Sequence, residues 1–346
     1  MVRALFFLFL VSAPWTLSAA PVAVLSSLEG EVSVLRAGQV IPSEKVGEGF
    51  ALEAFDTVTT GTTGRTDLRV APSTGLTATL RLDSETSLYL DLTSLKKEQT
   101  AGIELLTGGV SLRVSGSAGS TVEVRTELGT FTGLGSGFRL VLAPAGDVLV
   151  TTASGKVQCG VDNQAVFIES GSVAEVLTLD RVVHTHPVNA STLDSYEASW
   201  LLQRRQVFRD QVPVFFRTLA SRYQVQGGLF QRAWDRTQRE LKDDPRGAPG
   251  AVANLRRAAF PLERTIYRVA ALRKLFDEGV LSPTLELNRG YPARDFFRQA
   301  AQERDPWLAR LGDARALYKA QADRNGGEFP KPADGSEITY DSPYFR

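Results

Sequence analysis

Only one of the 346 residues is cysteine, Cys159, and only two are histidine, His184 and His186. A single thiol closes no intramolecular disulfide, so the chain must take its stability from a hydrophobic core, for which 43% hydrophobic residues suffice. Both histidines fall in "VVHTHP", where a strand would point them to one face. Protein metal sites usually need a third or fourth ligand, and no cysteine, further histidine or dense carboxylate cluster lies near. They read as surface histidines ahead of the linker residue Pro187, and no metal is expected. Charge of one sign is also missing, with 39 Lys and Arg against 39 Asp and Glu. Beyond the first twenty residues no apolar run approaches the roughly 20 residues of a membrane-spanning helix. The chain has no G-x-S-x-G elbow and no framed carboxylate pair. No catalytic residue and no cofactor is therefore expected, and the chain is read as a non-enzyme.

The first twenty residues, "MVRALFFLFLVSAPWTLSAA", place Arg3 before an apolar core from Ala4 to Val11 and end in Ser18, Ala19 and Ala20. That order is the pattern of a secretory signal peptide, spanning residues 1–20 with cleavage expected after Ala19, which makes the mature protein periplasmic or secreted. After cleavage no transmembrane segment is expected, and no cysteine follows the apolar core to carry a lipid. Charge is divided unevenly along the chain. Residues 1–193 carry 13 basic against 19 acidic residues and residues 194–346 carry 26 against 20, which suggests two units of different character.

From about residue 22 to 188 short alternating apolar segments are separated by Gly, Thr, Ser and Asp, the rhythm of half-buried strands. One pattern recurs in "LEGEVSVLRAG", "LTGGVSLRVSG" and "ASGKVQCGVD": Gly30, Gly108 and Gly155 each stand two residues before an apolar position, Val32, Val110 and Val157. Glycine suits the turn or bulge that starts a strand because it tolerates positive φ. Cys159 occupies the place of Val34 and Leu112 in this pattern and reads as a small buried hydrophobe. The "GLGSG" of residues 133–137 is not a dinucleotide fingerprint, because Phe138 stands where the third glycine belongs and a strand, "FRLVLAP", follows instead of a helix. The "GTTGRT" at Gly61 has Arg65 where a P-loop needs lysine. These glycines are read as tight turns between strands.

The region from about residue 24 to 176 resembles the FecR domain family. The resemblance rests on "GEVSVLRAG" at Gly30, on Asp56, Thr60, Gly61 and Arg65 within "ALEAFDTVTTGTTGRTDLRV", on "LRLDSETSLYL" and "LLTGGVSLRV", and on "GSGFRLVL" in place of the family's usual "GTEF". It implies an all-β domain of short stacked strands, outside the cytoplasm, that binds or senses something and has no chemistry of its own. Family members that regulate iron uptake also carry a cytoplasmic segment for a sigma factor. Only Met1 and Val2 precede Arg3 here, so a sensory role would be that of a component without the sigma-factor-binding part.

After residue 188 the period changes. Leu201, Phe208, Val212, Phe215 and Leu219 mark one helical face. Pro213 is expected to kink or break that helix, and Gly227 with Gly228 to offer another break. Leu255, Ala259, Leu262, Ile266, Val269, Leu272 and Phe276 form a second stripe, interrupted by Pro261, and a third runs from Ala293 through Phe297 and Leu308 to Tyr318. The expected architecture is α+β by segregated domains: a FecR-like β domain at 22–188, an α-helical domain at 191–324 and an extended tail at 325–346. The polar feature of the helical half is its arginines. Arg204, Arg205 and Arg209 are the candidate partner-binding residues, because guanidinium pairs bidentately with carboxylate and phosphate. The same arginines also read as solvated helix faces. The expected function is a non-enzymatic envelope binding or scaffolding protein whose partner is an envelope protein or anionic envelope polymer, with no nucleic acid among its ligands. A sensory component of a FecR-type signalling system is the alternative, and an envelope glycan-processing enzyme a third without a motif behind it.

Overall fold

The computed structural model describes residues 21–36, 39–71, 77–92, 100–114, 121–243, 248–277 and 293–324. The expected signal peptide at 1–20 and the expected extended tail at 325–346 lie outside them. Alternation becomes strands throughout the first half: β1 (Ala23–Glu29), β2 (Val32–Arg36), β3 (Gln39–Ile41), β4 (Ala51–Leu52), β5 (Thr57–Thr60), β6 (Arg65–Val70), β7 (Ala78–Leu82), β8 (Ser87–Asp91), β9 (Thr100–Thr107), β10 (Gly109–Val114), β11 (Thr121–Arg125), β12 (Thr130–Leu142), β13 (Val148–Val161), β14 (Gln164–Glu169), β15 (Ser172–Val176) and β16 (Val183–Pro187). They are hydrogen-bonded into one coiled, branched sheet in the order β3-β2-β5-β8-β9-β11-β12-β10-β7-β6-β1-β4, with β13 to β16 leaving the path at β12. Inward residues such as Leu25, Val34, Leu68, Leu80, Val122, Phe131 and Leu140 make one buried core. Pairing is antiparallel almost throughout, the exception being β9 beside β11.

The recurring glycine pattern has a backbone cause. Gly30, Gly108 and Gly155 all have positive φ, at 63°, 81° and 73°. At Gly108 a Cβ would come within 2.6 Å of Thr86 Cα, so no side chain fits there even apart from φ. Val32, Val110 and Val157, two residues on in each case, are fully buried, as is Cys159.

The tight-turn reading of "GLGSG" is corrected by the sheet. Residues 133–137 lie within β12, and Gly155 lies within β13. The register between β12 and β13 shifts between Leu134 and Gly137 and again between Gly137 and Phe138. This is where the sheet branches. The first half of β12 pairs with β11 and the second with β10, while β13 divides its far side between β14 and β15. A strand that changes neighbours must bend, and glycine permits the bulge that bends it. The two strands are consequently 13 and 14 residues long, so the expectation of uniformly short strands fails at the branch.

The second half forms three helices, α1 (Leu193–Asp243), α2 (Pro249–Asp277) and α3 (Ala293–Arg324). Asn189 starts the run, its side chain accepting from the Ser191 N–H of a short 3-10 turn that leads into α1. The expected break at Pro213 does not occur: α1 continues for 51 residues, about 77 Å at 1.5 Å per residue. Buried Phe208 and Val212 before the proline and Phe216, Leu219 and Tyr223 after it belong to one stripe packed on the other two helices. Tertiary burial on both sides outweighs the local cost of roughly 3 kcal/mol for an interior proline. Pro261 is likewise interior to α2, and Gly227, instead of breaking α1, lies against the Trp307 indole of α3, where a Cβ would be 3.3 Å from the ring. The helices share a core of their own, which reaches the sheet at Leu35.

Candidate functional site

Charged side chains bolt the helices to the sheet. Arg264 of α2 donates from Nε to Glu104 Oε1 of β9 at 2.6 Å, with both side chains over nine-tenths buried. Removal from water raises the Glu104 pKa, and the Arg264 charge opposes that rise. Arg315 of α3 pairs with Glu263 of α2 and donates to Thr57 Oγ1 of β5 at 3.2 Å, and Thr57 in turn donates to Glu263 at 3.1 Å. Arg222 of α1 and Arg268 of α2 converge on Glu127, and Arg268 also donates to the Ala145 carbonyl at 2.7 Å. Around these bonds Trp200 of α1 packs on Val141, Leu149 and Val173, and Tyr267 of α2 packs with Phe55, Tyr89 and Leu106. The helical half therefore packs on the β unit.

The N-terminal part of α1 is held separately. Arg139 of β12 reaches Glu197 with both arms of its guanidinium, at 2.8 and 2.7 Å, and also pairs with Asp83. Between this part of α1, the C-terminal half of α2 and the turns at one end of the sheet lies a cleft of about 930 Å³. Its floor is made by stacked turns: Gly61 accepts from the Glu85 N–H, Gly109 from Asp83, and Gly108 from Leu142. Lys274 of α2 pairs with Glu85 at the rim. Leu201, Leu202, Leu272 and Leu275 give the walls an apolar component, and Leu202 is 71% exposed.

The structure separates the three candidate arginines. Arg204 turns to the sheet, where its Nη1 lies 3.9 Å from Asp147 and its side chain is only 13% exposed. Arg205 and Arg209, one helical turn apart, are exposed and line the cleft. Neither has a carboxylate partner among the described residues, and Arg65, on the sheet side of the same cleft, has none either. Arg139, Arg264 and Arg268 also line it but are committed to Glu197, Glu104 and Glu127. Sequence reasoning could not pair Arg222, Arg264 or Arg268, because the acids they meet stand 95, 160 and 141 residues away. Glu197 and Arg139, which hold the wall in place, carried no sequence signal at all.

The other polar candidates are placed elsewhere. His184 and His186 lie in exposed β16, 2.8 Å from Asp180 and 3.9 Å from Glu175 respectively. Among the described residues no group of three or more His, Cys, Asp or Glu side chains is arranged to hold a metal ion. Cys159 is buried in β13 and its pKa is pushed up to about 12 by that burial. "GTTGRT" leads into strand β6, not into a helix. No described helix is long and apolar enough to cross a membrane.

Comparison with known proteins gives one family. Residues 56–158 match the family model described as FecR protein. Two crystal structures of a protein described as an anti-sigma factor from Parabacteroides distasonis ATCC 8503 each align with a TM-score of 0.35 and 13% identity, over 40% of this chain. The alignment spans 63% of that protein, less than two thirds of its length. No curated protein matches the chain. The matched segment begins beside β5 and runs into β13, taking in the cleft floor and the branch point, so the FecR match covers residues 56–158 of the β half.

Proposed function

We propose that the protein is a non-enzymatic binding module of the cell envelope, periplasmic or secreted, in which the FecR-type β unit and the docked helices together form a cleft for an anionic ligand. The observation that carries this is the pair of exposed arginines on α1, Arg205 and Arg209, facing a cleft in which the other basic groups of α2 and β12 are already paired. Unpaired guanidinium groups side by side repel one another, and an incoming carboxylate or similar anion relieves that repulsion while accepting from both. Leucines in the walls would cover apolar parts of the same ligand. Export is expected from the order of Arg3, apolar core and small residues at the N-terminus.

The test is titration calorimetry of the full chain with heparin as a generic polyanion. Binding that weakens at least tenfold in the Arg205→Glu, Arg209→Glu double variant, with an unchanged melting temperature, supports the cleft. Each charge-assisted contact removed corresponds to about 1.5–3 kcal/mol. Equal affinity in the variant contradicts it. Shortening of a polymer on prolonged incubation would contradict the non-enzymatic part.

A further inference from the structure

Resting on the anionic-ligand cleft, we infer that its ligand class is a carboxylated polysaccharide, a glycan carrying about one carboxylate per sugar ring. The first reason is extent. A second depression of about 710 Å³ shares Arg65, Asp83, Arg139, Glu197 and Leu201 with the cleft, so the two form one groove along α1. A groove of that size accommodates several units of a polymer.

The second reason is the chemistry of the floor turns. Thr62 and Ser84 present hydroxyls there, while Thr59 and Ser87 bond each other at 3.2 Å and Thr107 donates to the Glu85 carbonyl at 3.2 Å. A hydroxyl both donates and accepts, which matches the hydroxyls of a sugar ring, while the fork of Arg205 or Arg209 matches its carboxylate. An extended acidic peptide would need somewhere to place its backbone N–H and C=O groups. The floor gives it no strand edge, because turn amides at Gly61, Asp83, Glu85 and Leu142 already donate to neighbouring turns.

The third reason is charge density. The groove is close to balanced: nine basic side chains line the two depressions against eight acidic ones, a surplus of one charge. A polymer with one charge per ring can set carboxylates against Arg205 and Arg209 and keep neutral hydroxyls near those acids. A polyphosphate, with a charge on every short repeat, would set phosphates against them.

The experiment measures affinity of the full chain for a galacturonate oligomer, poly-L-glutamate of matched charge, linear polyphosphate and neutral dextran. The galacturonate oligomer is expected to bind about tenfold or more tighter than poly-L-glutamate or polyphosphate, and dextran not measurably. Arg205→Glu with Arg209→Glu should abolish galacturonate binding. Thr62→Val with Ser84→Ala should weaken it several-fold while leaving residual poly-L-glutamate binding unchanged, and circular dichroism should match the parent in both variants. If poly-L-glutamate or polyphosphate binds as tightly as galacturonate, the glycan class is overturned and the anionic cleft stands. If none of the three polyanions binds, both fall together.

Discussion

Cys159 shows how much a single side chain says about its surroundings. Its thiol is sealed between β12 and β14, paired in register with Phe131 and Val166, and burial moves its pKa from 9.0 to about 12. Because the folded pKa of this acid is raised, the folded state holds a proton that the unfolded state loses. The thiol therefore adds no pH dependence below about pH 9, and its contribution to stability is lost as pH rises from there towards 12. Alkylation at pH 8 is expected to be at least about a hundredfold slower than for an unfolded chain, where the thiol is open to the reagent and no longer held protonated by burial. Cys159→Val should leave the melting temperature within a few degrees. Glu104 and Arg264 behave oppositely to substitution. Removing either partner as alanine breaks a buried ion pair and should cost about 3–5 kcal/mol, read from the denaturant midpoint, whereas replacing both with Leu and Met should cost much less. Cys159 was legible because a repeated Gly-x-Val pattern placed it on the inward face. Glu104 was not, because nothing near residue 104 distinguishes an acid that meets Arg264 from one that meets water.

The elements carry the clearest contrast between local and tertiary information. The three helical stripes could be read from spacing alone, and every residue of the second one, from Leu255 to Phe276, is buried. The expected break at Pro213 could not be judged locally, since a proline weighs only its own turn while the stripe of Phe208, Val212, Phe216 and Leu219 weighs the whole packed face. It follows that Pro213→Ala should stabilise the protein, by up to about 3 kcal/mol, without lengthening the helix. A rise in the urea midpoint with unchanged helical circular dichroism is the expected result. Glycines raise the same problem in strands. Gly30 and Gly108 do lie at strand starts, but Gly133, Gly137 and Gly155 sit where β12 and β13 change partners. Turn and bulge demand the same residue, and only the pairing of distant strands tells them apart.

For the whole molecule, the division into a β half and a helical half is visible in sequence as a change of period near residue 188, whereas the joint between the halves is not. That joint decides what the molecule can bind, because the cleft has α1 and α2 for walls and sheet turns for a floor. The β segment 22–188, made alone, has its own core and is expected to keep a β-type circular dichroism spectrum. Without the helices it should melt below the full chain, with Tyr89, Leu106, Leu149 and Glu104 uncovered, and it should bind no polyanion. A fragment that melts as high as the full chain would mean that the ion pairs and aromatic contacts of the joint add nothing. The most direct measurement of the cleft itself is hydrogen–deuterium exchange of the full chain with and without bound heparin. Added protection is expected at 197–209 of α1, at 264–275 of α2 and at the floor turns 59–62, 83–87 and 105–109. Protection confined to the outer arginines of α1, such as Arg232, Arg236 and Arg239, or absent from the floor turns, would contradict a cleft shared by the FecR-type sheet and its helices.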